Sequence, residues 1–247
     1  LGSLGLLVAG WLASCEAAPL WLLGRSGRGS GQERILQQLW ESDSGATAKR
    51  CDLSYAEEVH GMGAGIRCLR GFVHAGGVLQ DATVGNMTLG RCRAVFAPKV
   101  AGLHNVEAGM QTAPVHAVVL FSSIASFLGG VGQSNYSAAN AALEAAAVVR
   151  QSQGVVGSSV QWGAWAGSGM ALREASTMRR AEKLGIGAVM PEVGLWVTAV
   201  FMQSLAEGAM GGEPLQVGVV SAFVWKVFLG QVDDPGVFSV VGALEVD

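Results

Sequence analysis

A three-layer α/β fold, with one mostly parallel sheet covered by helices on both faces, is the architecture this sequence predicts. Three observations carry the prediction. Short strand-like and longer helix-like segments alternate along the 247 residues. The strands are mainly continuous apolar runs, as expected for strands buried on both faces. Polar and glycine residues gather just after the strands, and no Pro/Ser-rich linker divides the chain, so a single domain over 1–229 with a tail over 230–247 is expected.

The elements follow in order. LLVAGWLAS, directly after Gly2, Ser3, Leu4 and Gly5, reads as a helix, and the strand over 20–23 ends in a turn at Arg25 and Ser26. QERILQQLWES is a helix with Ile35, Leu36 and Leu39 on one side; the segment 46–51 is a short strand leading to Asp52 and Leu53. A strand over 71–75 runs out through His74 and Ala75 into Gly76 and Gly77, and a helix over 89–110 precedes VHAVVLFSS, the clearest strand of all. SNYSAANAALEAAAVVRQSQG is alanine-rich and reads as a long helix with Ser134 as its N-cap. SSVQWGAW is the next strand, followed by a loop and a short amphipathic helix. A helix beginning near Pro191 and a last strand, PLQVGVVS, complete the pattern.

Composition narrows the function. Half of the residues are hydrophobic and only 14% are charged, which excludes a disordered chain. The formal charge of −3 arises from 16 basic and 19 acidic residues with no basic block, so nucleic acid is not an expected partner. The apolar start is too short to span a bilayer, for which about 20 residues are needed. Cys15, Cys51, Cys68 and Cys92 have no metal-ligand spacing and read as free thiols. No metal is expected, and the compartment is read as cytoplasmic, with a plastid or another organelle as the alternative.

A parallel sheet binds its ligands outside the C-terminal ends of its strands. Glycines before a helix N-terminus let backbone N–H groups approach a pyrophosphate, so Gly2 and Gly5 suit either that task or a plain capping turn. Arg25 suits either the ribose 2′-phosphate of NADP or an ordinary turn.

Ketone reduction by hydride needs a donor to hold the carbonyl oxygen and an acid to protonate it. Tyr136, Ser123 and a lysine could form such a set, because a lysine ammonium favours the phenolate and lowers the phenol pKa. Tyr55 is the one competing tyrosine, and Lys49, Lys99, Lys183 and Lys226 are the available lysines. Lys99, within VFAPKVAGL, could cross beside the Tyr136 helix or extend to solvent. Asn140 follows Tyr136 by four positions and shares its helix face, either in one network or facing solvent.

These motifs, with LLGRSG, CDLS, VHAGGVLQDA, PKVAG, FSSIASFLGGVGQSNYSAANAALEAAA, SVQWGAWAGSGMA, LGIGAVMPEVGL and the late WKVFL, resemble the ketoreductase domain of polyketide synthases and animal-type fatty acid synthases. That branch of the short-chain dehydrogenase/reductase superfamily has a Rossmann-like fold. The resemblance covers residues 2–229. It implies NADPH as cofactor and a 3-oxoacyl thioester as substrate, presented on the phosphopantetheine arm of an acyl carrier protein among other synthase domains.

By the same resemblance Tyr136 is the proton donor, Ser123 orients the carbonyl, and Lys99 and Asn140 tune and connect the proton path. Asn140 stands where ordinary members of the superfamily carry their lysine. Gly2, Ser3, Leu4, Gly5, Arg25, Ser26, Asp52, Leu53, His74, Ala75, Gly76, Gly77 and Lys99 would meet the cofactor. Asp81, Leu128, Gln133, Gly163 and Met170 would meet the substrate or set its stereochemistry, with a lid over 170–185.

Asp81 matches the last aspartate of the B-type Leu-Asp-Asp motif, and Leu128 stands where A-type domains carry tryptophan, implying the D-configured alcohol. The sequence departs from the family in Gln80, in Gly76 in place of alanine, and in a shorter stretch between Asp52 and His74. It also lacks the family's first strand and first glycines, so the domain is expected to be N-terminally truncated: a piece of a larger polypeptide, a cleaved or mis-bounded fragment, or a domain whose first strand a partner supplies. A non-catalytic scaffold or docking module and a free-standing short-chain alcohol reductase are the alternative readings.

Overall fold

The alanine-rich and apolar runs form helices on both sides of parallel strands in the computed structural model, which describes residues 1–17, 19–28, 33–41, 45–63, 66, 69–109, 117–167, 179, 181–209, 214–224, 227–228 and 230–231. The elements run α1 (Ser3–Ser14), β1 (Trp21–Gly24), α2 (Glu33–Glu41), β2 (Thr47–Arg50), α3 (Ala56–Gly63), β3 (Gly71–His74), α4 (Leu89–Phe96), α5 (Gly102–Gly109), β4 (Ala117–Ser123), α6 (Ala125–Leu128), α7 (Ser134–Ser152), β5 (Gly157–Trp162), β6 (Ile186–Gly187), α8 (Pro191–Ala209), β7 (Val217–Val220) and β8 (Ala222–Phe223). Much of the expected lid, including Met170, lies outside the described residues, as do Cys68, Lys226 and residues 232–247.

β3, β4, β5 and β7 form a parallel sheet in that order. β4 is buried on both sides, which explains its unbroken apolar character. Val119 and Phe121 join Val160, Trp162 and Val8 in one core, while Val118 and Leu120 join Leu103, Leu143 and Ala147 in the other. α1 and α8 therefore cover one face, and α5 and α7 the other, giving a Rossmann-like α/β fold.

Four details differ from the sequence expectation. The parallel strands fall into two sheets, because β1 pairs with β2 and among the described residues no strand hydrogen-bonds β1 to β3. The apolar cluster of Cys51, Val59 and Val106 bridges the gap, with Leu23 and Phe72 packed against it. The helix over 89–110 is not uniform: Ala97–Ala101 form a π-helical turn between α4 and α5. Pro98 lies at its start and lacks the N–H that an α-helical ladder needs, so the turn widens there.

Ser134 is not an N-cap either. The helix is entered from Gln133, and the Asn135 side-chain oxygen takes the backbone N–H of Tyr136 at 2.8 Å. A short antiparallel pair, β6 with β8, was not anticipated, because two-residue strands leave no periodic pattern.

Candidate active site

The strand register sets the frame. Ser123 closes β4 opposite Trp162 of β5, and Leu120 of β4 lies opposite His74 of β3, so these strands end at one edge of the sheet. Beyond Ser123 the chain turns into α6 and then, through a turn in which Gly129 and Gly132 hold φ values of 75° and 76°, into α7. A Cβ at either position would be strained, so glycine is what lets the chain reverse there.

Tyr136 sits in the first turn of α7 with 9% of its surface exposed, packed with Val95, Ala125 and Ala139. Asn135 staples that turn in place, donating to the carbonyls of Gln80 at 3.0 Å and Arg91 at 3.3 Å. Burial pushes the Tyr136 phenol pKa up, hydrogen bonds from the Asn140 and Ser123 side chains pull it down, and the Asp81 carboxylate pushes it up again. Asn140 is fully buried, donates to the Tyr136 carbonyl at 2.9 Å, and leaves its own side-chain oxygen without a partner.

Lys99 does not extend to solvent. Only 2% exposed, it donates from Nζ to the Phe121 carbonyl at 3.0 Å and lies 5.6 Å from the Tyr136 ring centre. The π-turn aims it: five residues of widened helix direct a single ammonium between β4 and α7. Burial lowers the Lys99 pKa to about 7, against an upward pull from Glu144. Of the other lysines, Lys49 covers the Trp21 ring and Lys183 is exposed. Tyr55 is 62% exposed.

His74 points inward. Its Nε2 lies 2.9 Å from the Lys99 carbonyl, where a proton on that nitrogen would be donated to the π-turn. Burial, then the Lys99 charge, lowers its pKa to about 4, so it is neutral at neutral pH. Its side chain thus supports Lys99, and only the backbone that follows, through Ala75, Gly76 and Gly77, continues along the strand end. Leu53 likewise packs against the Cys51 cluster, with its carbonyl accepting from Asn105 at 2.8 Å.

The remaining cofactor candidates lie at the other strand ends and at α1. A Cβ at Gly2 or Gly5 would meet nothing within 4 Å, so the space beside the α1 N-terminus is open. The first turn of any helix directs N–H groups into such a space. Ser3 and Leu4 complete that turn. Arg25 and Ser26 are exposed after β1, and Asp52, after β2, accepts from the Ser54 backbone at 3.0 Å. Open glycines, a helix N-terminus and an accessible guanidinium fit a cofactor bearing phosphates.

On the substrate side, Gln133 donates to Asp81 Oδ2 at 3.0 Å, while Asp81 Oδ1 is buried without a partner. Leu128 ends α6 and is half-buried. Nearby, Ala82, Val84, Gly130 and Ser137 border an open cleft of about 300 Å³.

Gly163 follows β5, where a Cβ would overlap Ser221 Oγ and lie 2.9 Å from Ser221 Cβ. Gly163→Ala is therefore expected to destabilise the fold by about 1–3 kcal/mol, read as a lower midpoint of thermal unfolding. An unchanged midpoint would show that Ser221 yields freely.

Sequence reasoning missed Glu144, whose carboxylate accepts from the hydroxyls of both Ser122 and Ser126. The signal was available, since Tyr136, Asn140 and Glu144 are spaced by four along one helix.

Comparison with known proteins matches a family described as KR domain over residues 1–167. The polyketide synthase GfsB of Streptomyces halstedii is 37% identical over 195 residues, 77% of this chain and 4% of that protein. The phenolphthiocerol synthesis polyketide synthase type I Pks15/1 of Mycobacterium marinum is 35% identical over 174 residues, 68% of this chain and 8% of that protein. The chain thus spans a small part of the length of these relatives. Among solved structures, A-type ketoreductases from a modular polyketide synthase align with a TM-score of 0.81 at 30% identity, covering 92% of this chain and 47% of that one. A ketoreductase domain from the bacillaene assembly line aligns with a TM-score of 0.76 at 26% identity, covering 93% and 56%.

Proposed function

Because the chain belongs to the KR domain family, the ketoreductases of polyketide synthases within the short-chain dehydrogenase/reductase superfamily, we propose that it reduces a 3-oxoacyl thioester to the 3-hydroxyacyl thioester with NADPH. The observation that carries this reading is the buried Lys99 ammonium 5.6 Å from the Tyr136 ring. A buried ammonium is costly to keep, and a fold gains little from placing one beside a phenol unless the phenol has a proton to give.

The roles divide by chemistry. NADPH, when bound, supplies the hydride to C3 of the substrate. Gly2, Gly5 and the α1 N-terminus would hold its pyrophosphate and Arg25 with Ser26 its 2′-phosphate, while Asp52, Leu53 and the 74–77 segment would border the rest. Ser123 Oγ donates to the ketone oxygen as negative charge grows there, and Tyr136 transfers its phenolic proton to the same oxygen. Lys99 lowers the cost of the phenolate left behind, and the unpartnered Asn140 oxygen offers a seat for a water that returns a proton. Asp81 with Gln133 would set the face of attack, giving the D-configured alcohol of the B-type. The substrate would arrive on a carrier-protein phosphopantetheine arm, beside other synthase domains in the cytoplasm.

The test is NADPH oxidation with a small β-ketoacyl thioester, with chiral analysis of the product. Reduction is expected with NADPH in preference to NADH, and Arg25→Ala should cut that preference about tenfold or more by removing a charge-assisted phosphate contact. A folded chain that binds no NADPH by calorimetry would refute the reductase reading and leave a scaffold.

A further inference from the structure

We propose that Glu144 is a positioning residue of this site, its carboxylate gathering the hydroxyls of Ser122 and Ser126 around Ser123. The proposal rests on the reading of Ser123, Tyr136 and Lys99 as reducing machinery. Glu144 is the only charged residue of α7 before Arg150, set in the apolar run AALEAAAVV. A carboxylate there has no ion-pairing role in the helix itself, yet it stands on the face that carries Tyr136 and Asn140.

Its contacts enclose one short segment. Ser122 Oγ, at the end of β4, and Ser126 Oγ, in α6, both donate to the same oxygen, Glu144 Oε1. Ser126 Oγ also lies 2.7 Å from the Ser123 carbonyl and accepts from Gln161 Nε2 at 3.1 Å. Gln161 stands opposite Ser122 in the β4–β5 register. Ser122 is buried, and apart from Glu144 its hydroxyl has only the Asn140 carbonyl, 3.4 Å away. Ser123 Oγ in turn accepts from the Ala125 backbone at 3.2 Å, so its direction is set by the segment that Glu144 closes. Losing the carboxylate would leave two hydroxyls competing for poorer acceptors and would release the backbone on both sides of Ser123.

The same carboxylate works on Lys99. Tyr136 lies beside the ammonium on α7, neutral His74 supports it from β3, and β4 offers the Phe121 carbonyl; the Glu144 charge acts on it electrostatically, and Asp81 acts on the Tyr136 phenol from the loop after β3. Among the described residues, Glu144 is the carboxylate that raises the Lys99 pKa. Removing its charge should make Lys99 lose its proton at lower pH.

The full chain is tested as Glu144→Gln, Glu144→Asp and Ser126→Ala, by steady-state reduction, NADPH calorimetry and titration of lysine-selectively 13C-labelled protein, with the Lys99 resonance identified by its loss in Lys99→Met. Glu144→Gln is expected to lower kcat about tenfold, to leave NADPH affinity unchanged, and to move the Lys99 titration to lower pH. Glu144→Asp should recover part of both effects. Ser126→Ala should lower kcat without moving the Lys99 titration, which keeps the positioning role testable where Glu144 variants melt early. Glu144→Gln with wild-type kcat and an unmoved Lys99 titration would overturn the proposal. A wild-type chain that reduces no thioester would refute the reductase reading, while the titration would still decide whether Glu144 acts on Lys99.

Discussion

Tyr136→Phe is expected to lower kcat for thioester reduction roughly a thousandfold, within the range for removal of a positioned general acid, with NADPH affinity unchanged. The substitution is narrow. The ring that packs with Val95, Ala125 and Ala139 is kept, and only the hydroxyl that Asn140 and Ser123 address is removed. Burial works against the phenolate, so a wild-type turnover that depends on this group draws on every donor around it. Stopped-flow NADPH oxidation at saturating substrate reads the chemical step directly. Turnover within a few-fold of wild type would remove Tyr136 from its assigned role and direct attention to a water or to Ser123 as the proton source.

Lys99→Met should cost roughly a hundredfold in kcat/KM for NADPH near neutral pH, the lower end of the range for an acid–base group, and should flatten the pH dependence of two properties at once. The folded-state pKa of Lys99 is lowered to about 7 from 10.5, chiefly by burial. In the cofactor-free chain the charged form therefore fades as pH rises through about 7, and kcat/KM for NADPH, which reports free-enzyme ionisations, should fall with it.

Stability should run the other way. Between the folded and unfolded pKa values the unfolded chain binds more protons, so stability rises with pH from about 7 to 10.5. His74 adds the same sign lower down: its folded pKa of about 4 against 6.5 means that stability is lost as pH falls through that interval. Lys99→Met should flatten the stability rise above neutrality while leaving the acid limb of His74. Denaturant titrations across the pH range would show it, and a wild-type stability curve flat from neutral to alkaline pH would contradict a buried, charge-strained Lys99.

These two expectations draw on different depths of the chain. Tyr136, Asn140 and Ser123 could be picked out from spacing and from their place after an apolar strand, since the four-residue helical repeat and the strand end are local features. Lys99 could be named from its resemblance to a family motif, but its direction could not be read from VFAPKVAGL, which permits an ammonium pointing either way. The turn around Pro98 settles that direction, and His74, 25 residues earlier in sequence, supports it. Glu144 illustrates the same limit from the other side. Its spacing from Tyr136 was visible, but its value depends on Ser122, Ser126 and Gln161, which only the fold assembles.

By itself, then, the amino-acid order determined the alternation of buried strands and covering helices, the glycine turn into α7, and the helix face shared by Tyr136 and Asn140. Each of these follows from periodicity and backbone preference over a few residues. Tertiary structure alone decided that the parallel strands divide into two sheets, that His74 turns inward, and that the Lys99 ammonium is sealed between β4 and α7. Those outcomes depend on which distant groups exclude water from which charges, and desolvation is a property of the packed molecule that no local stretch of chain carries.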